Sequence, residues 1–465
     1  MLTRLEVDGF KNLLNFTLDF GPVTCIAGLN GVGKSNIFDA IKLLSLLTNN
    51  DIHSAASLVR ENQEFGDIND IFFTDGEDRH DRIKIAAEMI VPEDVTDDFG
   101  RKASVKSTYL RYEIELRLGI DEYGNNKIEI IHEYLKHILK NDATEKLKFP
   151  LSASKFRDKV VVNRRKGTAF ISTNTADDGI VEIHIHQDGG SSGQTKKIPA
   201  RLAPRSVIAN TNSIELPTIL AAKREMESWM FIALEPSSMR RSNSFRDPRK
   251  ISSNGDYLAS TLHKIFKKDS SALDRIIRKM NNITKVSDIK IDEDLKRDIF
   301  TLQVKEQSGA FIPARGLSDG TLRFLTLSII SEDAEFTGLL CFEEPENGIH
   351  PAKLSAMLEL LREISVDSDD EVSEVNPLRQ MVIATHSPIM VQLQDINDLV
   401  LADVVKVKGP FGRPANTIRC KPIFKSWRSN KLDAGCSTVS ISSIMTYLKV
   451  PEGAQISMDI FWGEE

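Results

Sequence analysis

The sequence predicts an α/β protein in which a mixed β-sheet, flanked by helices, is interrupted by a large α+β insertion. Residues 22–39 (PVTCIAGLNGVGKSNIFD) pass from an apolar run through a glycine-rich loop into a helix start. Two later apolar runs, at residues 338–343 and 381–385, end in polar side chains. Residues 50–300 carry no comparable pattern. We therefore expect one core domain whose two parts lie on either side of the insertion.

The chain begins with two alternating segments. Residues 3–9 alternate Leu5 and Val7 with charged side chains, and residues 16–20 show the same period of two. This period is typical of half-buried strands, so we expect an antiparallel pair that leads into a buried strand before the glycine-rich loop. After the loop, apolar positions continue as far as Leu47 and predict a helix with one buried face.

The glycine-rich loop matches the phosphate-binding pattern Gly28-x-x-x-x-Gly33-Lys34-Ser35. Glycines let the backbone fold tightly, so that successive N–H groups and the helix start can face phosphate oxygens. We expect Lys34 to reach the β- and γ-phosphates of ATP and the Ser35 hydroxyl to bind Mg²⁺. The alternative, a glycine-rich turn that only happens to precede a helix, does not account for Lys34 and Ser35 at these positions.

The middle of the chain is β-rich and then helical. Its alternating and helical patterns predict strands at residues 83–91, 109–118, 126–131, 159–163 and 180–186, and helices at residues 214–234 and 255–281. No heptad repeat is long enough for a coiled-coil arm, so we expect a compact lobe. The expected divisions are residues 1–50 and 301–405 for the two parts of the nucleotide-binding core domain, 51–300 for the insertion and 406–465 for a C-terminal extension.

Three later junctions between strands and loops carry polar residues that suit hydrolysis of a bound triphosphate. Ser318, within GLSDG at a helix start, offers a hydroxyl and N–H donors to an anion. Glu343 and Glu344 end one apolar strand, and His386 ends another. We expect Glu343 to bind Mg²⁺, Glu344 to accept a proton from the attacking water, and His386 to donate to a γ-phosphate oxygen.

Each of these features has an ordinary structural explanation when it is taken alone. An adjacent pair of glutamates is usually a solvated surface feature, a histidine at a strand end is more often structural, and Ser-Asp-Gly is a common turn. Their order along a chain that also carries the phosphate loop favours the catalytic interpretation. Two carboxylates at the end of an apolar strand also count against a solvated face.

In these motifs the sequence resembles an ATPase of the ABC type in its non-transporter branch, alongside the RecF-like and structural-maintenance-of-chromosomes (SMC) ATPases of the wider AAA group. It is more similar still to the ATPase part of the overcoming-lysogenization-defect family and related bacterial anti-phage defence ATPases. GLNGVGKSN resembles Walker A, GLSDG the signature turn, CFEEPENGIHP the Walker B motif and D-loop, and ATHSP the switch-histidine loop. The resemblance covers residues 1–48 and about 310–405.

The resemblance implies a dimer in which Ser318 and Gly320 of one head contact the γ-phosphate that Lys34 of the other head binds. The implied site residues are Asn30, Gly31, Gly33, Lys34, Ser35, Asn36, Ser318 and Gly320 for ATP, Ser35 and Glu343 for Mg²⁺, and Glu344 and His386 for catalysis. Asp319 departs from the usual Ser-Gly-Gly, and Glu343 stands where many relatives have Asp. Gln63 is a candidate Mg²⁺-sensing glutamine by position alone.

Composition sets limits on the class of protein. The chain has 465 residues, 41% of them hydrophobic and 27% charged, and a formal net charge of -7. No apolar run approaches the length of a membrane span, and the four cysteines form no C-x-x-C pair. We therefore expect a cytoplasmic protein with no membrane partner, zinc site or disulfide framework. The acidic charge also argues against indiscriminate coating of nucleic acid.

Local basic clusters offer possible contacts to double-stranded DNA, although such clusters are more often solvated faces. They are Arg164, Arg165 and Lys166; Arg240, Arg241, Arg246, Arg249 and Lys250; and Lys264, Lys267, Lys268, Arg275, Arg278 and Lys279. The second cluster is the best candidate for a DNA or partner contact. The acidic residues 367–371 are expected to form an exposed loop.

These observations lead to one hypothesis and two competitors. Past residue 405 we find no D-x-D and Glu arrangement of a topoisomerase-primase nuclease, so we expect the effector, a toxin or nuclease, to be a separate protein. The leading hypothesis is an ATP-hydrolysing, oligomeric sensor or scaffold of an anti-phage defence system. The alternatives are a RecF-like DNA-binding ATPase of DNA repair and a non-hydrolysing, ATP-gated module, which the presence of Glu344 disfavours.

Overall fold

The computed structural model describes residues 1–59, 67–164, 167–188, 195–307, 309–430 and 437–449. Its strands are β1 (Leu2–Asp8), β2 (Phe16–Asp19), β3 (Val23–Ala27), β4 (Arg82–Ile90), β5 (Asp94–Thr96), β6 (Lys102–Ser104), β7 (Tyr109–Ile120), β8 (Asn126–His137), β9 (Ile171–Thr175), β10 (Val181–Ile185), β11 (Lys196–Pro199), β12 (Met230–Ile232), β13 (Asn243–Ser244), β14 (Val286–Asp294), β15 (Ile299–Glu306), β16 (Phe311–Pro313), β17 (Gly338–Glu343), β18 (Arg379–Thr385), β19 (Leu399–Lys408) and β20 (Pro414–Pro422).

The α-helices are α1 (Lys34–Leu46), α2 (Ile52–Ser57), α3 (Lys140–Lys146), α4 (Asp158–Val160), α5 (Pro217–Glu227), α6 (Pro236–Met239), α7 (Leu258–Lys268), α8 (Ala272–Thr284), α9 (Asp319–Glu332), α10 (Leu354–Ile364), α11 (Pro388–Leu393) and α12 (Ile441–Leu448). Short 3-10 turns are formed by Ile68–Ile71, Ala200–Leu202, Ala314–Gly316, Pro351–Lys353 and Trp427–Asn430, and a π turn by Ala153–Arg157.

A six-stranded sheet places the phosphate loop at its centre. Its strand order is β12-β17-β18-β3-β19-β20, and all neighbouring pairs are parallel except β19 and β20. All five residues of β3 are buried, as expected for a strand covered on both faces. Because β3, β17 and β18 are adjacent and parallel, their carboxyl ends meet at one edge of the sheet. That edge carries the phosphate loop, the two glutamates and the histidine.

The two faces of this sheet pack against different layers. On β3, Ile26 joins one core cluster, which also contains α1 and the interior of the antiparallel sheet. The neighbouring Cys25 and Ala27 join a second cluster, which contains α7, α8, α9 and α10. Side chains alternate between faces along a strand, so one face of β3 packs against the layer that contains α1 and the other against the layer that contains α7 to α10. The phosphate loop therefore starts from a rigid support.

An eight-stranded antiparallel sheet forms the second large layer. Its order is β11-β10-β9-β8-β7-β4-β1-β2, so strand β4 pairs directly with β1, with Leu5 opposite Ala87. The strands of the β-rich middle thus continue the sheet that the first residues begin. The predicted domain divisions at residues 50, 300 and 405 stay predictions, but hydrogen bonding crosses all three, because β12 and β19 also belong to the six-stranded sheet.

Most of the predicted elements are confirmed. The predicted antiparallel pair is β1 and β2, and the strands expected at residues 83–91, 109–118, 126–131 and 180–186 correspond to β4, β7, β8 and β10. The predicted strand at residues 159–163 is wrong, since Asp158–Val160 forms a helical turn and Val161 packs in a small cluster with Phe149 and Phe156. A short apolar run does not distinguish a strand from a buried turn. The helix expected over residues 214–234 ends at Glu227, before β12.

Several compositional expectations can be compared with the described residues. None of the helices in these ranges combines the length and apolar character that a membrane crossing requires. Cys25, Cys341 and Cys420 form no disulfide bond among the described residues, and Cys436 lies outside them. The acidic residues 367–371 form a loop without regular structure, and Asp370 and Glu371 pair with Lys155 and Lys159.

A buried glutamate braces the antiparallel sheet against the end of α1. Glu133 on β8 is fully buried and accepts hydrogen bonds from Tyr112 Oη at 3.2 Å, Val207 N at 2.9 Å and Ile208 N at 3.3 Å. The neighbouring Ser206 donates from Oγ to the Leu47 carbonyl at 3.0 Å. Burial raises the pKa of Glu133 to about 7, although these hydrogen bonds oppose the rise.

This raised pKa predicts a pH-dependent stability. Between the unfolded pKa of 4.5 and the folded value of about 7, the folded chain binds more protons, so its stability falls as the pH rises. One pKa unit corresponds to about 1.4 kcal/mol, so Glu133 should remove about 3 kcal/mol between pH 4 and pH 8. Urea unfolding over this range should show a decline that Glu133→Gln flattens by that amount. The exposed control Glu122→Gln should leave the wild-type slope, and an unchanged slope in Glu133→Gln would contradict the assignment.

Candidate active site

The phosphate loop, residues 28–35, depends on two glycines in the left-handed region. Gly31 has φ of 78° and Gly33 has φ of 107°. A Cβ atom on Gly33 would lie 2.3 Å from Asn12 Nδ2, so only glycine fits there. Asn12 donates to the Val32 carbonyl at 3.2 Å and accepts from Asn36 Nδ2 at 2.8 Å. Asn12, which the sequence motifs did not single out, therefore holds the loop in place.

Lys34 lies inside the loop that it closes. Its Nζ donates to the carbonyls of Gly28 and Leu29, both at 2.7 Å, and the residue is only 8% exposed. Burial lowers the pKa of Lys34, while Glu344, Glu343 and Glu346 oppose that change. The ammonium group is thus held at the mouth of the loop among carboxylates, where an anionic phosphate can compete for its hydrogen bonds.

Ser35 and Glu343 bring two oxygen donors together. Ser35 Oγ donates to Glu343 Oε2 at 3.1 Å, which joins the start of α1 to the end of β17. Desolvation raises the pKa of Glu343, and the nearby Asp39 and Glu344 add to the rise. A hydroxyl and a carboxylate in this arrangement are ligands of the kind that Mg²⁺ prefers, and a cation there would relieve the crowding of negative charge. These residues fit the predicted metal site.

Glu344 lies at a sharp turn that directs its carboxylate toward the histidine. Its φ is +49°, which is uncommon for a residue other than glycine, and its N–H donates to the Ala384 carbonyl at 2.8 Å. Oε1 lies 2.9 Å from His386 Nδ1, and Oε2 accepts from Asn347 Nδ2 at 2.6 Å. The two predicted catalytic side chains are therefore in direct contact.

A third carboxylate supports this pair. Glu346 Oε1 accepts from Thr385 Oγ1, which in turn accepts from Ser387 N at 3.0 Å. Its Oε2 atom is buried and has no hydrogen-bond partner in the described part of the chain, and burial raises the pKa of Glu346. Glu346 thus ties the loop after β17 to the switch-histidine loop, residues 384–388. None of the predicted roles included Glu346, although the run Glu-Glu-Pro-Glu was the available signal.

The described hydrogen bonds of the signature turn, residues 316–320, do not involve the phosphate loop of the same chain. Ser318 caps helix α9, with Oγ accepting from Thr321 N at 3.3 Å. A Cβ on Gly320 would have the Gly348 carbonyl, at 3.5 Å, as its nearest neighbour. Among the residues described, no hydrogen bond or ion pair joins Ser318 or Gly320 to the phosphate loop. The predicted site residues therefore form two groups within one chain.

The remaining predicted contacts have mixed outcomes. Gln63, Arg165 and Lys166 lie outside the described residues. In the third basic cluster, Lys264 pairs with Asp333, and Arg275 pairs with Glu332. Internal partners of this kind explain much of that cluster as part of the packing of α7 and α8 against α9. In the second cluster, Arg240 contacts the signature turn through Asp319 at 2.6 Å.

Comparison with known proteins identifies the family. Residues 1–391 match the model of the AAA ATPase domain family AAA_15. The chain belongs to this family. A stretch of 68 residues of this AAA ATPase is 38% identical to the DNA replication and repair protein RecF of Cyanothece sp., covering 14% of this chain and 18% of RecF. The match thus spans less than a fifth of that relative's length.

Solved structures resemble the AAA ATPase over most of its length but at low identity. An SMC head bound to the C-winged helix domain of ScpA covers 91% of this chain and 98% of its own, with 15% identity and a TM-score of 0.46. The SMC head domain from Thermotoga maritima covers the same shares, with 13% identity and a TM-score of 0.39. The family match shows an AAA ATPase domain, and the sheet topology confirms the predicted α/β fold class with its mixed sheet and flanking helices.

Proposed function

We propose that this AAA ATPase hydrolyses ATP with Mg²⁺ between two copies of itself and uses the cycle to control a separate effector protein. The observation that carries the proposal is the Glu344 and His386 contact, 2.9 Å long, at the sheet edge that also presents the phosphate loop. A carboxylate held by a histidine and an amide can orient a water molecule and accept its proton. A purely ATP-gated module would not require this arrangement.

The chemistry assigns one task to each side chain. The oxygen of a water molecule attacks the γ-phosphorus, the bond from this phosphorus to the β–γ bridging oxygen breaks, and ADP and phosphate are the products. Glu344 accepts the proton of the attacking water, and His386 donates to a γ-phosphate oxygen. Lys34 turns from its loop carbonyls to the β- and γ-phosphates. Mg²⁺, when held by Ser35 and Glu343, would neutralise developing phosphate charge.

The signature turn supplies the argument for two copies. Ser318 and Gly320 form no hydrogen bond with the phosphate loop of their own chain among the described residues, yet Ser318 Oγ and the start of α9 suit an anion. In the proposed assembly, each turn completes the ATP site of the other copy. ATP then stabilises the dimer, and hydrolysis releases it. The assembly is a homodimer or a higher oligomer built from it.

The biological setting of the proposal is anti-phage defence in the bacterial cytoplasm. Its support is the similarity of the four motifs to the overcoming-lysogenization-defect family and related defence ATPases. The alternative is a RecF-like ATPase that binds double-stranded DNA during repair, which the 68-residue RecF match favours. Under the defence hypothesis the effector is a toxin or nuclease encoded separately, and the neighbouring gene would identify it.

Phosphate release by the purified full chain tests both ATP hydrolysis and its control by a partner protein rather than by DNA. Lys34→Ala should lower turnover at least about 100-fold, because the β- and γ-phosphates lose their cation, whereas the exposed control Lys102→Ala should leave it unchanged. Blunt-ended duplex DNA should change wild-type turnover less than about twofold if a partner protein controls the cycle. Strong stimulation by DNA ends would instead support the repair alternative. Wild-type turnover no higher than that of Lys34→Ala would remove the enzymatic assignment.

A further inference from the structure

A cavity lined by four arginines lies directly behind the signature turn. Its volume is about 340 Å³, and it is enclosed by the segment after α6, strands β14 and β15, and residues 313–315. Its charged lining residues are Arg240, Arg241, Arg297, Arg315, Asp292 and Asp294. Four guanidinium groups and two carboxylates line this cavity, named here the arginine pocket, so cationic groups outnumber anionic groups within the lining. Two carboxylates outside the lining, Asp256 and Asp319, pair with Arg241 and Arg240.

The arginines of the pocket are only partly neutralised. Arg297 lies 3.8 Å from Asp294 with a side chain that is 79% exposed. Arg241 pairs at 3.2 Å with Asp256, which is not part of the lining, and its side chain is 63% exposed. Arg315 forms no ion pair in the described part of the chain. Arg297 and Arg315 can turn toward an anion without breaking a buried contact, whereas Arg241 would give up its ion pair with the buried Asp256.

The size and chemistry of the pocket select a compact phosphate compound. A guanidinium group can donate two parallel hydrogen bonds to the oxygens of one phosphate. Several guanidinium groups around one cavity therefore favour a ligand with more than one phosphate. A volume of 340 Å³ lies at the lower end of the range for small-molecule sites, about 300–1,000 Å³. It suits a di- or triphosphate group rather than a duplex, whose major groove alone is about 12 Å wide.

Arg240 connects the pocket to the signature turn. Its Nη2 donates to the Leu317 carbonyl at 3.0 Å and to Asp319 Oδ1 at 2.6 Å, which are the residues on either side of Ser318. Its Nη1 and Nε atoms make no hydrogen bond among the described residues. They can therefore bind a phosphate while Nη2 stays hydrogen-bonded to the signature turn. An anion in the pocket would therefore fix the guanidinium that positions Ser318. This also gives Asp319, which departs from the usual signature glycine, a physical role.

We propose that the arginine pocket binds the phosphates of a di- or triphosphate compound and that its occupancy stabilises the signature turn through Arg240. The inference rests on the proposed function, because the turn matters for turnover only if it completes the ATP site of another copy. A phosphorylated metabolite that binds in the pocket would then stabilise the signature turn in the ATPase dimer. The site is separate from the phosphate loop, so binding can be measured without hydrolysis.

Inorganic triphosphate is the probe, and calorimetry on the full chain carrying Lys34→Ala is the measurement. With the phosphate loop disabled, one site per chain should remain, and adding Arg241→Gln and Arg315→Gln should weaken it at least about tenfold. A matched control carries Arg82→Gln and Arg201→Gln, two exposed arginines with single distant partners at 3.5 and 3.8 Å, and should bind as the parent does. Absence of binding, or equal binding by all three proteins, overturns the proposal.

Amide hydrogen exchange of residues 316–322 tests the coupling in the same proteins. Triphosphate should slow exchange there at least about threefold in the Lys34→Ala parent and not in the variant that lacks Arg241 and Arg315. Unchanged exchange in the parent overturns the coupling to Ser318. In a second binding measurement, the ligand is a 20-base-pair DNA duplex. Its affinity should differ less than about threefold between the Lys34→Ala parent and the variant that also lacks Arg241 and Arg315. If the duplex depends on these arginines and triphosphate does not, the ligand is nucleic acid and the proposal is wrong.

Discussion

Replacing Glu344 by glutamine should slow ATP hydrolysis at least about 100-fold while ATP binding is retained. The glutamine oxygen can still accept from His386 Nδ1, and Asn347 can turn its amide to match the new group. The geometry of the loop is therefore kept, whereas the carboxylate that takes the proton of the attacking water is lost. Phosphate release under saturating ATP measures the change in turnover.

The same variant should trap an ATP-dependent dimer. If ATP joins two heads and hydrolysis separates them, then Glu344→Gln should elute as a dimer with ATP and as a smaller species without it. Light scattering after gel filtration distinguishes the two. Glu359→Gln, an exposed glutamate on α10, is the matched control and should behave as the wild type does. Wild-type turnover in Glu344→Gln would remove Glu344 from the role of general base.

Sequence patterns were sufficient to predict that polar side chains meet where parallel strands end. Lys34, Glu343 and His386 lie far apart in the chain, but each follows an apolar run, and the ends of β3, β17 and β18 share one sheet edge. Short-range patterns could not reveal the residues that support this edge. Asn12 and Glu346 act through contacts with Gly33 and Thr385, which depend on the folded arrangement rather than on any local motif.

The architecture of the middle region shows the same limit. Alternation predicted β4, β7, β8 and β10, because it reflects the local pattern of burial along each strand. Alternation does not specify which strand pairs with which, and the pairing of β4 with β1 joins residues more than seventy positions apart. The insertion lobe at residues 51–300 was predicted from the motifs on either side of it, and its bounds stay predictions. The pairing of β4 with β1 shows that the strands of the middle region continue the sheet that the first residues begin.

Mixing two inactive variants should restore hydrolysis if each ATP site is shared between copies. Lys34→Ala removes the phosphate cation from one side of a site, and Ser318→Arg blocks the anion-binding turn on the other side. In a mixed dimer, one site carries both defects and the other carries neither. Random pairing at equal concentrations makes about half of the dimers mixed, so turnover should recover to about a quarter of the wild-type value. Each variant alone should remain at least about 50-fold below the wild type.

The Ser318→Arg variant also removes the cap of α9, which costs about 1 kcal/mol and needs its own control. Ser440 caps helix α12 through Ser443 N at 3.1 Å, so Ser440→Arg loses an equivalent bond far along the chain from the motifs. That control should keep wild-type turnover, which separates loss of a helix cap from loss of the signature turn. If the mixture of Lys34→Ala and Ser318→Arg stays as inactive as its components, each chain completes its own site. The signature turn would then have to reach the phosphate loop of its own chain, with which Ser318 forms no hydrogen bond among the described residues.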